Sequence, residues 1–358
     1  MTFASALSVH PLATHAVGEV VGDVLERLGP EPDLVVLFAG AAHTGAMEDI
    51  AAAVRTLLRP RVLLGCTTST VIGGDREIVD ASGLSLWAAR GVDALAHRLP
   101  GSLPDEGRTL VVLGDPYSFD VDSLLARTTM PVIGGMASAG RGPGGNRLLL
   151  DDALFTDGAV AVSVPNDALT AVVSQGCRPI GQPLIVTRGE GTLVHELAGQ
   201  PALARVQSML DALLPSDRSA ASTGLYVGLV IDESKASFGP GDFLVRNLLG
   251  GDKSSGAIAI AADVAVGSTI QLQVRDATTA DDELRMLLAN HDPDAALLFT
   301  CTARGVPLFG EPDHDATTVT EAIGPKPVAG MACTAEIGPV AGRSFVHAYT
   351  ASLALFRS

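Results

Sequence analysis

The sequence has few lysines and few aromatic residues, and its acidic residues outnumber the basic ones. Lysine occurs only at positions 235, 253 and 326, and aromatic residues make up 4% of the 358 residues. Asp and Glu number 40 against 24 for Lys and Arg, so the formal net charge is −16 at pH 7. Negative charge on this scale repels phosphate backbones and anionic lipid head groups. We therefore expect no nucleic-acid partner.

Long apolar runs are also missing. No uninterrupted apolar run approaches the roughly 18 residues that a membrane-spanning helix needs. The N-terminal region has neither the basic start nor the compact apolar stretch of a secretory leader. A content of 47% hydrophobic and 18% charged residues is typical of a globular protein. These features predict a cytoplasmic protein without a membrane span.

The cysteines form no CxxC pair, which excludes a zinc ribbon and a thioredoxin motif. They stand far apart, at positions 66, 177, 301 and 333. This spacing fits reduced thiols in a cytoplasm. Free cysteines usually pack as small hydrophobic residues, and we predict that role for Cys177 and Cys301.

Familiar catalytic and nucleotide-binding motifs are missing as well. The sequence contains neither GxGxxG after a strand nor GxxxxGK followed by Ser or Thr, so nucleotide phosphates have no prepared binding loop. Ser138 lacks the GxSxG pattern because Met136 stands at the first glycine position. His195-Glu196 begins like a zinc-protease helix, but Gly199 stands where the second His is required. We assign no catalytic residue and do not favour an enzyme.

What the sequence does contain is a short glycine-bounded segment in three copies. The copies read GCTTSTVIG at 65–73, GMASAG at 135–140 and GMACTAEIG at 330–338. Each follows a short apolar run that predicts a buried strand. The carboxyl ends of parallel strands form the edge of an α/β sheet at which small ligands usually bind. We therefore expect the three segments to converge on a shared hollow that surrounds a small molecule.

The elements around these segments also recur. An apolar stripe at helical spacing predicts a helix at residues 10–28, ended by Gly29-Pro30. After it, strand, helix and strand precede the first segment, and the same order precedes the other two. Alternating or β-branched runs after each segment predict returning antiparallel strands. The predicted fold class is α/β (mixed α+β), with repeated β-α-β units, returning antiparallel strands and two domains.

The region between the second and third segments has single glycines and short predicted strands. A helix is predicted for 201–214, with Pro201 in its first turn and Pro215 ending it. The small polar stretch 217–223 suggests a domain boundary. We therefore predict an N-terminal helix at 1–30, one domain at 31–217 and another at 218–358.

Candidate ligand-binding residues lie in the three glycine segments. Cys66 and Cys333 occupy two of them, where a thiol can contact a ligand or react with an electrophile, and packing alone is the alternative for each. Glu336 is the only acidic residue in the three copies, and among apolar neighbours it requires a partner, either Arg343 or a ligand amine. The other candidates in these segments are Thr67, Thr68, Met136, Ser138 and Thr334.

Two further pairs lie in the second predicted domain, Arg246 with Asn247 and Arg275 with Asp276. An arginine can bind a carboxylate through two parallel hydrogen bonds, which would suit an amino acid or a small organic acid as ligand. The alternative is structural. Arg275 and Asp276 then pair with each other, or they cap the next helix.

Several ordered stretches of the chain can be compared with known families. They are Gly65-Cys66-Thr67-Thr68 with Ile72-Gly73, the segments 174–181 and 241–247, Arg275-Asp276-Ala277, and above all 336–340 followed by 347–356. Together they resemble the FIST (F-box and intracellular signal transduction) family, from the first parallel strand to the C-terminus and through both its N-terminal and C-terminal domains. Two positions depart from the family pattern. Val71 stands where Glu is common, and Thr334-Ala335 stands where Asn-Gly is usual.

The resemblance implies a sensory module that binds a small ligand, with amino acids as a leading suggestion and haem in a subset of members. Almost no chain lies outside it, so we expect a free-standing member that acts through a separate output partner. Two alternatives remain open. One is a haem-binding gas sensor that uses His43 or His347, although nothing in the spacing of these residues requires a cofactor or a metal. The other is an enzyme with Cys66 or Cys333 as nucleophile.

Overall fold

The computed structural model describes residues 1–103, 106–239 and 241–358. It contains two compact units, which we call unit 1 (Met1–Ser174 with Leu284–Ser358) and unit 2 (Gln175–Glu283). This division differs from the predicted one at 217/218, because the C-terminal part of the chain packs with the N-terminal part. The polar stretch 217–223 belongs to a helix inside unit 2 and is not a linker.

Unit 1 consists of three repeats of one arrangement. In each repeat two parallel strands are joined by a segment that includes a helix, and a later strand returns antiparallel to the first of them. The parallel strands are buried along nearly their whole length, which agrees with their continuous apolar runs. The repeated β-α-β units, the returning strands and the mixed fold class are therefore confirmed.

The helix predicted at residues 10–28 is present as Ala13–Leu28. Repeat 1 begins before it with a strand, Thr2–Ser8, so the N-terminal region 1–30 is not helical throughout. The strand's alternating burial marks it as a sheet element, which its small residues obscured in the sequence. It pairs antiparallel with the returning strand of the repeat. The elements are β1 (Thr2–Ser8), α1 (Ala13–Leu28), β2 (Leu34–Gly40), α2 (Met47–Leu58), β3 (Val62–Thr68), β4 (Thr70–Gly73), β5 (Arg76–Val79) and β6 (Leu84–Arg90), with a 3-10 turn at Ala41–Ala46.

Repeat 2 has a short connecting helix that is capped by its own sequence. The side chain of Asp120 accepts a hydrogen bond from the backbone N–H of Ser123 at 3.0 Å, which satisfies one free amide at the helix start. The elements are β7 (Leu95–Leu99), β8 (Arg108–Gly114), α3 (Val121–Ala126), β9 (Val132–Met136), β10 (Leu148–Leu150), β11 (Ala153–Phe155) and β12 (Ala159–Pro165). The next strand, β13 (Leu169–Ser174), belongs to the sheet of repeat 3.

Unit 2 is a closed barrel of antiparallel strands around an apolar core. Its first strand pairs with neighbours on both sides, which closes the sheet. Pro215 begins a second helix, so the single helix predicted for 201–214 is shorter than expected and is followed by another. The elements are β14 (Cys177–Glu190), β15 (Leu193–Leu197), β16 (Gln200–Pro201), α4 (Ala202–Asp211), α5 (Pro215–Thr223), β17 (Leu225–Val230), β18 (Phe243–Gly251), β19 (Ile258–Ile260), β20 (Thr269–Arg275) and α6 (Ala277–Leu288).

Repeat 3 completes unit 1. Its parallel pair is β21 and β22, and the returning strand is β25, which also pairs with β13. The elements are β21 (Ala295–Cys301), α7 (Val306–Phe309), α8 (His314–Ile323), β22 (Val328–Cys333), β23 (Glu336–Val340), β24 (Arg343–His347) and β25 (Ala351–Phe356). Within the described ranges, no helix has both the length and the hydropathy needed to span a bilayer.

The three repeats exchange hairpins. Their six-stranded sheets have the orders β1-β6-β2-β3-β10-β11, β7-β12-β8-β9-β23-β24 and β13-β25-β21-β22-β4-β5. Hairpin β4-β5 of repeat 1 therefore completes the sheet of repeat 3, β10-β11 of repeat 2 completes that of repeat 1, and β23-β24 of repeat 3 completes that of repeat 2. Each hairpin follows one of the glycine segments, so the exchange brings the three segments together.

The strand register corrects the predicted alignment of the three segments. Gly65, Gly134 and Gly330 hold the same place on their strands, and a Cβ at any of them would collide with a carbonyl oxygen of the neighbouring parallel strand. The second copy therefore starts at 134 and not at 135. The aligned copies read GCTTST, GGMASA and GMACTA. This alignment places three hydroxyl residues at equivalent positions, namely Ser69, Ser138 and Thr334.

Candidate functional site

The three glycine segments meet in the interior of unit 1. The Cys66 sulfur lies 3.2 Å from the Met331 sulfur. The Ser138 hydroxyl donates to the backbone oxygen of Ala332 at 2.6 Å, and the Thr68 hydroxyl donates to the same oxygen at 2.8 Å. The predicted convergence of the segments is thus a feature of the structure.

The space between the three segments is filled by their own side chains. Cys66, Thr68 and Cys333 are fully buried, and Met136 is 3% exposed. Backbone hydrogen bonds join Met136 to Ala335 at 2.9 Å and Thr334 to Met136 at 3.1 Å, and the Thr67 hydroxyl accepts from a backbone amide of repeat 2. The hollow expected between the three segments is therefore a packed junction.

The two thiols of the junction are poorly suited to nucleophilic chemistry. Burial raises the pKa of the Cys66 thiol far above its ordinary value. Burial also raises the pKa of Cys333, and the negative charge of Glu336 adds to this effect. A thiol in such surroundings stays protonated and is a weak nucleophile at neutral pH.

Glu336 is a buried carboxyl that is held by repeat 3 itself. The backbone amide and the hydroxyl of Thr350 donate to its Oε2 at 3.1 and 3.0 Å. Burial raises the pKa of Glu336, and these hydrogen bonds together with one from the Cys301 thiol offset only part of that rise. Arg343 pairs with Val340 at the opposite end of the β23-β24 hairpin, so the expectation that it meets Glu336 is wrong.

An open cavity of about 230 Å³ lies on one flank of this junction, entirely within unit 1. Its wall is formed by hairpin β4-β5 of repeat 1 with the following Asp80, by residues 300–307 at the end of β21, and by Ala332. This is the carboxyl edge of the parallel pair of repeat 3. The cavity thus occupies the sheet edge at which α/β folds bind ligands, and two different repeats line it.

A buried ion pair stands at the inner wall of the cavity. The guanidinium of Arg304 donates from Nε and Nη2 to the two oxygens of Asp315, both at 2.8 Å, in a bidentate arrangement. Thr300 donates to the same carboxylate. Burial alone would raise the pKa of Asp315, but the charge and hydrogen bonds of Arg304 outweigh it and hold that pKa below its usual range. Asp315 is therefore ionised and pairs with Arg304.

Glu77 on β5 is an acidic residue of this wall that contacts the start of helix α8. It is 7% exposed and accepts a hydrogen bond from the backbone amide of Ala316 at 3.1 Å, near the start of helix α8. In return, the Glu77 amide donates to Asp313. Burial and then the negative charge of Asp315 raise the pKa of Glu77 to about 7. This carboxyl therefore changes its charge near neutral pH.

None of the residues predicted to bind ligand lines this cavity. The glycine segments reach it only through Ser69, Thr70 and Ala332. Cys301, predicted to be a packing residue, is 6% exposed and lines the wall. The sequence did not indicate the cavity residues that follow β21 or those on β5. The rule that ligands bind at the carboxyl edge of parallel strands would have indicated the residues after β21.

The predicted arginine sites lie in unit 2. Arg246 is on β18 and donates to the backbone oxygen of Val245 at 3.1 Å, and Asn247 follows it on the same strand. Arg275 ends β20. Asp276 accepts from the backbone amide of Thr279 at 2.9 Å and therefore caps α6, as the structural alternative predicted. Its ionic partner is Arg178, at 3.0 Å.

The two histidines considered for haem are buried at places outside the cavity wall. His43 lies in the 3-10 turn after β2, and its burial lowers its pKa. The Nε2 atom of His347 is 2.9 Å from the backbone oxygen of Gly338, within hydrogen-bond distance. Among the described residues, no cluster of three or more His, Cys, Asp or Glu side chains has the arrangement of a metal site.

Comparison with known proteins identifies the family. A family model of the FIST N domain matches residues 33–200, and one of the FIST C domain matches residues 202–339. The chain belongs to the FIST family. FIST domains are sensory domains of signal transduction. An uncharacterized protein of Mycobacterium bovis is 40% identical to this FIST protein over 371 residues, which cover 97% of this chain and 96% of the relative.

A second relative is similar along its whole length. An uncharacterized protein of Mycobacterium tuberculosis is 38% identical over 381 residues, which cover 99% of this chain and 100% of the relative. The two FIST domains meet near residue 201, whereas the compact units divide at 174/175 and 283/284. Each FIST domain therefore contributes to both compact units, and the cavity wall includes residues from both family domains.

Proposed function

We propose that this FIST protein is a sensor that binds a small molecule in the cavity between hairpin β4-β5 and residues 300–307. The ligand is of the size of an amino acid or a small organic acid, and the signal passes to a separate output protein. The observation that carries the proposal is the cavity itself, which combines an open volume of about 230 Å³ with buried charged groups at the carboxyl edge of a parallel pair. Pockets for drug-sized molecules are larger, at about 300–1,000 Å³, so a small metabolite fits best.

The cavity wall offers a route from ligand binding to a change in conformation. A ligand shifts a conformational equilibrium only if it contacts the two states differently. Hairpin β4-β5 comes from repeat 1 but pairs with β22 of repeat 3, so a ligand between the hairpin and β21 bridges two repeats. Occupancy would tighten this exchanged hairpin against repeat 3. An output partner could then recognise the tightened form.

In this proposal the junction of the glycine segments has a structural role, and unit 2 offers a second place for binding. Cys66, Thr68, Ser138 and Cys333 hold the glycine segments in place behind the cavity. In unit 2, Arg246 and Arg275 remain proposed anchors for a carboxylate of a ligand or a partner. An enzyme using Cys66 or Cys333 as nucleophile is the weaker proposal, because both thiols are buried and have raised pKa values.

A thermal-shift screen with amino acids and organic acids tests the proposal. A ligand at 100 times its Kd stabilises the folded state by about 2.7 kcal/mol, which raises Tm by several degrees in a domain of this size. The variant Val306→Trp narrows the cavity mouth, because Val306 lines the cavity and is 50% exposed. Val9→Trp is the matched control, since Val9 is 48% exposed and lies elsewhere in unit 1.

The expected result is a ligand-dependent shift in the wild type and in Val9→Trp that is lost in Val306→Trp. A shift that persists unchanged in Val306→Trp would place the ligand elsewhere. The absence of any shift across the whole screen would count against a small-molecule sensor.

A further inference from the structure

The charges around the cavity are mostly negative. Glu77 and Asp80 line it, and Arg304 is the one basic residue among the described residues of its wall. Two nitrogens of Arg304 are already bonded to Asp315, which neutralises that pair. An anionic ligand would therefore meet carboxylates without a free counter-charge. A cationic ligand would supply the counter-charge that the wall lacks.

Glu77 lines the cavity, and one of its carboxyl oxygens lies near Gly305 of the wall. Its Oε1 is engaged by the Ala316 amide, while Oε2 faces Gly305, another residue of the cavity wall. A Cβ at Gly305 would lie 3.3 Å from Oε2, and the φ of 52° at this residue favours glycine. Because residue 305 is a glycine, no side chain crowds Oε2 from that part of the cavity wall. Glu77 is thus a carboxyl more than nine-tenths buried that accepts hydrogen bonds from the backbone amides of Ala316 and Asp315, and its Oε2 lies beside Gly305 of the cavity wall.

We infer that the ligand of this cavity carries an ammonium group and that this group binds the Glu77 carboxylate. The inference rests on the proposed function, because it concerns the same cavity. The hydroxyl groups of Ser69, Thr70 and Thr302 also line the wall and can accept the remaining ammonium hydrogens. The ligand class is therefore a small primary amine, such as an amino acid or one of its derivatives.

Ligand affinity will then depend on pH. The charged groups around Glu77 are Asp313 and Asp315 at the start of α8, Arg304 before α7, Asp80 after β5, and His314 when protonated. Because the pKa of Glu77 is raised to about 7, the ionised form that binds an ammonium group becomes common only as the pH rises through this range. We expect the affinity for an amine that stays protonated to rise about eightfold between pH 6 and pH 7.5, in proportion to the ionised fraction of Glu77.

A set of alanine derivatives with different charges tests the inference by calorimetry. Alaninamide carries only the ammonium group, N-acetylalanine carries only the carboxylate, and N-acetylalaninamide carries neither. The same three derivatives of amino acids with larger side chains are also tested, because the size of side chain that the cavity prefers is unknown. The variant is Glu77→Gln, which keeps an oxygen for the Ala316 amide but removes the charge. Glu48→Gln is the matched control, because Glu48 is exposed on α2 of the same unit.

The expected result is binding of the ammonium forms alone, weakened at least tenfold by Glu77→Gln and unchanged by Glu48→Gln. The Glu77 contribution to the pH dependence is the difference between the pH profiles of wild type and Glu77→Gln. Equal or tighter binding of N-acetylalanine, or unchanged amine binding in Glu77→Gln, would overturn the inference while leaving a small-molecule site. If Glu77→Gln does not fold, a wild-type affinity for alaninamide that does not rise from pH 6 to pH 7.5 overturns it.

Discussion

The substitution Asp315→Asn tests the buried ion pair at the inner wall of the cavity. Arg304 and Asp315 are 1% and 0% exposed, so the substitution leaves a buried guanidinium without its counter-charge at nearly constant volume. Removing one partner of a buried pair costs about 3–5 kcal/mol, because the remaining charge is no longer compensated. Replacing both residues by apolar ones, as in Arg304→Met with Asp315→Leu, avoids that cost and is often neutral. We therefore expect the single variant to be much less stable than the double variant.

Urea unfolding monitored by tryptophan fluorescence measures this difference. The chain has a single tryptophan, Trp87, and it is fully buried in unit 1. Asp315→Asn is expected to lower the urea midpoint without changing the slope of unfolding free energy against urea concentration. The double variant is expected to have a midpoint much closer to that of the wild type. Asp93→Asn is the control, because it breaks the Asp93 and Arg108 pair at the surface and should change little. A midpoint for Asp315→Asn close to that of Asp93→Asn would refute the account of the pair.

Three further predictions follow from burial, packing and charge. Iodoacetamide should label Cys301 before Cys66 and Cys333, because Cys301 lines the cavity while the other two are fully buried. Mass spectrometry measures the order of labelling, and the reverse order would contradict this prediction. Gly330→Ala should lower the free energy of unfolding by about 1–3 kcal/mol, because its Cβ meets a backbone oxygen, and an unchanged urea midpoint would show that the strand can shift. Stability should fall as pH rises from 5 to 7.5, because the raised pKa of Glu77, about 7, makes the folded state bind more protons than the unfolded state in that window. In Glu77→Gln the free energy of unfolding should fall less over this pH range, and the difference from wild type should be at most about 3 kcal/mol. Identical pH profiles of stability in the two proteins would show that Glu77 does not cause the fall.

The fold was predictable where the signal is local. The β-α-β units show as apolar runs and helical stripes, and they were found in all three repeats. Strand β1 was missed because its small residues alternate too weakly, and the helix at Pro215 was missed because a proline can begin a helix as well as end one. The compact units could not be predicted, since the return of the C-terminal segment to unit 1 depends on strand pairing across most of the chain.

The site was only partly predictable for the same reason. The sequence placed the three glycine segments together, and the hairpin exchange explains why they meet. Whether the space between them is open or filled depends on how their side chains pack, and the repeated sequence pattern does not predict that packing. Glu77 and Asp315 are 238 positions apart in sequence, and no local pattern links them. They come together because hairpin β4-β5 leaves its own repeat and packs beside α8.

Hydrogen exchange in the presence of a ligand that raises Tm tests the central claim most directly. The account holds that the ligand binds between hairpin β4-β5 and the end of β21. It predicts slower amide exchange at 69–80 and 300–307 when the ligand is bound, with little change in Gln175–Glu283. Protection confined to Gln175–Glu283, with unchanged exchange at 69–80 and 300–307, would contradict it.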